Sequence, residues 1–64
     1  MYNMDDATID DLYEAEVAFA ALARYAVHLR SARRYREDGA ITNALSCEEA
    51  CEKIYKTLPE WARW

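Results

Sequence analysis

Residues 17–27 read VAFAALARYAV, with one charged side chain, Arg24, in eleven positions. The run lies in a stretch of good helix formers that meets the chain's single Gly only at position 39 and its single Pro only at position 59. So long an uninterrupted stretch predicts a helix from about Thr8 to Glu37. On such a helix the run has no evident wet side. A rod that is apolar almost all round is normally buried on more than one side.

Punctuation in the sequence sets the rest of the fold. Thr8 can cap the first helix, with Asp11 three residues on as a near capping box. Asp10, Asp11 and Glu14 then occupy the first turns and Arg33, Arg34 and Arg36 the last, an order that suits the helix dipole. Gly39 is the natural stop. A second helix is expected from about Ala40 to Leu58, ended by Pro59. Its apolar stripe runs Ala40, Ala44, Cys47, Cys51, Ile54, Leu58, with Trp61 in phase. Spacings that alternate between four and three mark a helix-packing seam. Ser46 with Glu49 makes an alternative start, disfavoured because the seam continues upstream of it. The link "REDGA" is short, so the two helices must be antiparallel neighbours. In that register His28 lies level with Glu49, and the second helix ends level with Phe19. The tail 59–64 would carry Trp61 and Trp64 back towards Tyr13 and Glu16. The expected fold class is all-α: an antiparallel helical hairpin within one domain, residues 1–64.

At 64 residues the chain can bury only about 60% of the surface it exposes when unfolded, so oligomerisation is a common remedy. The first helix shows two apolar stripes. One is Leu12, Phe19, Leu22, Ala26 and Leu29, taken here as the face for the second helix. The other is Ile9, Tyr13, Ala20 and Val27, with Val17 interrupting the polar side beyond it. One neighbouring helix covers one stripe. The residues left over, Ile9, Tyr13, Val17, Ala20 and Val27, are read as a dimer interface, giving a four-helix bundle of two chains. Charge suggests the orientation. Residues 1–16 carry six acids and no base, and residues 24–36 carry five arginines and no acid. Two first helices crossing antiparallel near Ala21 would set these ends against each other. The alanines at 18, 20, 21 and 23 would allow close approach.

Three constellations bear on chemistry. Cys47, Cys51 and His28 share a level and have ligand chemistry suited to zinc, with Glu48 as the candidate fourth group. Both cysteines fall on the seam, however, where free Cys acts as a small apolar residue, and His28 projects from the polar side. No metal site is expected. Glu49 with Glu52, and Asp11 with Glu14, are paired acids of the kind that hold Mg²⁺. Position 49 faces 28 rather than 11 or 14, so they are read as solvated charges. The segment RYAVHLRSARRYRE, residues 24–37, mixes arginines with tyrosines as nucleic-acid binders do. Its arginines spread around the rod, and the net charge of −4 opposes general nucleic-acid binding. No catalytic residue and no cofactor are assigned.

The function read from the sequence is that of a small non-enzymatic interaction or regulatory protein. It associates with itself as an antiparallel homodimer and binds a further protein. Asp5, Asp6, Asp10 and Asp11, the basic Arg30, Arg33 and Arg34, and the near-terminal Trp64 are the candidate contact residues. A nucleic-acid-associated regulator using the Arg-rich end ranks second, and a small metal- or nucleotide-binding bundle third. The acidic start, the short uncharged runs and two cysteines spaced too widely for an intrahelical bridge point to a cytoplasmic protein with no membrane partner.

Overall fold

In a computed structural model, residues 6–64 form a helical hairpin with a short tail. Helix α1 runs Asp6–Glu37 and helix α2 runs Ile41–Thr57, followed by a 3-10 turn at Glu60–Ala62. Asp5 lies outside the described residues, as does the side chain of Asp6. Helix α1 begins two residues earlier than Thr8, so Thr8 sits inside the first turn rather than capping it.

The turn is built as Gly39 predicts. Gly39 takes φ +77, the left-handed conformation that an L side chain resists. The Gly39 N–H donates to the Arg36 carbonyl and the Ala40 N–H to the Tyr35 carbonyl. This paired reverse bonding satisfies carbonyls left over at the end of α1. Helix α2 then starts from Ala40 with no side-chain cap, and Ser46 lies well inside it. At the far end Pro59 stops α2.

Helix α2 buries the stripe read from its sequence. Ala44, Cys51 and Leu58 are buried; Ala40, Cys47 and Ile54 are half-buried. Helix α1 differs from expectation. Its buried residues are Ala18, Ala21 and Ala32, with Leu22, Tyr25, His28 and Ser31 half-buried. Helix α2 therefore lies along the alanine side, where Ala18, Tyr25 and Ala32 repeat at seven-residue intervals. It does not lie along Leu12, Phe19, Ala26 and Leu29, all of which are exposed. Small side chains let two backbones come close, and packing density rather than side-chain size decides where the seam forms. Ala44 is 0% exposed and Leu58 2%, the mark of such a close fit. His28 is thus on the packed side of α1, not the polar side. Ala18 and Ala21 lie under α2 and are not available for a crossing with another copy.

The tail turns the other way from the expected path. Trp61 meets Phe19 edge-to-face at 6.1 Å between ring centres, and Trp64 stands edge-on to both Tyr25 and Tyr55, at 4.8 and 4.9 Å. The segment thus runs back towards the turn between the helices, away from Tyr13. Extended backbone at Pro59 followed by the 3-10 turn reverses the chain. Arg63 then donates to the carbonyls of Leu58 and Lys56, placing a cation at the negative end of α2. The Tyr55 hydroxyl donates to the Trp64 carbonyl at 2.7 Å.

Candidate functional site

The candidate site is the part of α1 that α2 leaves bare. Thr57, Leu58 and Pro59 share a shallow groove with Glu14, Val17, Ala18, Ala21 and Arg24, which marks how far α2 reaches. The first turns of α1 extend past that point. Ile9, Leu12 and Tyr13 on this overhang are all at least half exposed.

Helical periodicity sorts the bare apolar residues into two sides. Leu12, Phe19 and Ala26 stand seven apart on one, and Trp61 leans on it through Phe19. Tyr13, Ala20 and Val27 stand seven apart on the other, with Ile9 in line. All five residues of the expected self-association surface, Ile9, Tyr13, Val17, Ala20 and Val27, are exposed; Tyr13 is 69% and Val27 63% accessible. Ile9, Tyr13, Ala20 and Val27 lie on the side of α1 turned away from the alanine seam, whereas Val17 sits at the edge of that seam, in the groove with Leu58. That much apolar surface on one helix is uncommon for a lone small chain.

The basic end is more focused than its spread in the sequence suggests. Arg30, Arg33 and Arg34 line one groove together with Ala26, Leu29, Glu37 and Asp38. Arg24 lies in the groove near Leu58, and Arg36 is committed elsewhere. The Arg36 guanidinium grips Glu48 on α2 through two bonds, Nε to Oε1 at 2.6 Å and Nη2 to Oε2 at 2.8 Å. Those hydrogen bonds pull the Glu48 carboxyl below its ordinary value and raise the Arg36 guanidinium. Of the acids expected to meet a partner, Asp10 and Asp11 lie exposed on the overhang. Trp64 is 67% exposed although its ring touches two tyrosines.

Cys47 and Cys51 are both free thiols. Cys51 is buried, with its sulfur 3.6 Å from the Tyr25 carbonyl, and burial pushes its thiol pKa up. Among the described residues no three His, Cys, Asp or Glu side chains are grouped so as to hold a metal ion. Among the same residues no helix is long and apolar enough to cross a membrane. Comparison of the chain with protein-family models, with curated proteins and with solved structures finds no match.

Proposed function

We propose that this chain is a non-enzymatic interaction protein that associates with itself through α1 and presents its remaining surface to another protein. The single observation that carries this reading is the double-sided apolar character of α1, of whose two apolar stripes α2 half-covers Leu22 alone. Each large apolar side chain moved from water into an interface contributes about 1.5–3 kcal/mol. Two free thiols, one of them only half-buried, fit a reducing compartment, and we place the protein in the cytoplasm.

The test is capture of proteins from an extract of the native host on the immobilised chain. Wild type is compared with an Asp10→Asn, Asp11→Asn variant, altered at exposed acids of the expected partner surface, and both are checked for equal helicity by circular dichroism. Neither residue is packed against α2, so the variant should keep its fold. Proteins held by wild type and lost from the variant support the reading. An identical set on both, or none on either, argues against it.

A second reading rests on the groove that collects Arg30, Arg33 and Arg34. Three guanidinium groups on one short stretch of helix suit a phosphate backbone, although Glu37 and Asp38 line the same groove. In that case retention on heparin falls steeply with salt and disappears on Arg33→Glu, Arg34→Glu.

A further inference from the structure

We infer that the overhang of α1 is an arm that lies along the basic groove of a second copy of this chain, so that two chains exchange arms about a two-fold axis. The inference deepens the proposed self-association and rests on it; it fixes which residues meet.

The bare side of α1 carries a continuous seam: Ile9, Tyr13, Glu16, Ala20, Ala23, Val27, Arg30, Arg34. The steps alternate four, three, four, three throughout, the spacing that keeps one stripe facing a partner helix. Every residue in it is exposed. Its composition is graded, with large apolar residues and an acid at one end, two alanines in the middle and two arginines at the other. Such a seam complements itself only when reversed. Antiparallel pairing centred between Ala20 and Ala23 sets Ala20 against the second copy's Ala23, twice, where backbones can approach closely. Tyr13 then meets Arg30, whose guanidinium can lie on the ring. Glu16 falls level with Val27, one turn from Arg30, whose guanidinium it can reach along the seam, and Ile9 lies along the stem of Arg34. Parallel pairing would put Arg30 on Arg30, Arg34 on Arg34 and Glu16 on Glu16.

Area agrees with this occupant. The chain exposes 5388 Å², whereas a compact monomer of its mass exposes roughly 4,200 Å². The excess, roughly 1,200 Å², is spread along the elongated chain, and a typical stable interface would draw ~800 Å² from each partner. The pairing also places α2 on the outside of each α1, so the two hairpins form a layered row of helices rather than a closed square bundle.

Charge reversal tests the geometry, because Glu16 and Arg30 are exposed and their substitution leaves the hairpin core untouched. Sedimentation equilibrium is run on wild type, Glu16→Arg and Arg30→Glu, each alone, and on an equal mixture of the two variants. Arm exchange predicts a wild-type dimer and about tenfold weaker association of each variant alone. The mixture should recover most of the wild-type affinity, since a heterodimer restores both opposite-charge contacts and keeps one of the two Tyr13–Arg30 contacts. Wild-type dimers with both single variants unchanged would overturn the arm exchange and leave self-association standing. A wild-type chain that stays monomeric at millimolar concentration would overturn both.

Discussion

At Glu48 two hydrogen bonds from Arg36 hold the carboxyl below its ordinary value. A carboxylate depressed in the folded state contributes stability that is present above its unfolded value. That contribution is lost as pH falls through the lower folded value. Arg36→Ala removes the partner, so the variant should melt below wild type at neutral pH. In strong acid, where Glu48 is protonated in both, the two melting curves should converge. The difference will be small, because both groups are solvated and exposed pairs stabilise little. Thermal melts across the acid range check the convergence as well as the sign. The neighbouring thiols offer a sharper contrast. Cys47 is half-buried, whereas Cys51 is buried and its thiol is pushed up in pKa by desolvation. Thiolate is the reactive form, so alkylation of the folded chain should mark Cys47 first. Peptide mass spectrometry after limited iodoacetamide treatment reads the order directly.

Among the elements, the turn is the most dependent on a single residue. A Cβ added at Gly39 meets nothing within 4 Å, so the cost of Gly39→Ala is that of the left-handed backbone alone, about 1–2 kcal/mol. For a domain this small that lowers Tm by about 4–8 °C per kcal/mol, measurable by circular dichroism. The turn and the α2 stripe were both legible in the sequence, since Gly39, Pro59 and the alternating spacing of Ala44, Cys47, Cys51, Ile54 and Leu58 carry them without reference to a partner. The packed side of α1 was not legible. Leu12, Phe19, Leu22 and Leu29 are the larger side chains and so look like core. Yet of these only Leu22 is half-buried, while Ala18, Ala21 and Ala32 are sealed under α2. Hydrophobicity ranks residues by transfer from water, but a two-helix seam is chosen by how closely the backbones can approach. The tail was half legible. Trp61 was expected to pack and does touch Phe19, but its direction depends on the reversal after Pro59, which no pattern of apolar residues encodes.

As a whole the molecule is a rod, 55 Å long and 21 by 15 Å across, with a radius of gyration of 16.0 Å. A compact domain of this length would have a radius of gyration of roughly 11 Å. A chain stretched this far buries little, and what it buries is largely alanine. If dimer formation supplies the remainder, stability is tied to concentration. Melts at micromolar and at hundred-fold higher concentration should then differ by several degrees, and coincident curves would show a self-sufficient hairpin. The alanine seam also inverts the usual tolerance map. On α1 of an isolated hairpin, exchanging Val27 for serine disturbs almost nothing and exchanging Phe19 loses only the edge contact with Trp61, whereas adding two methyl groups to Ala18 or Ala32 wedges the helices apart. A survey of sequence variation guided by side-chain size would mistake the replaceable positions for the essential ones.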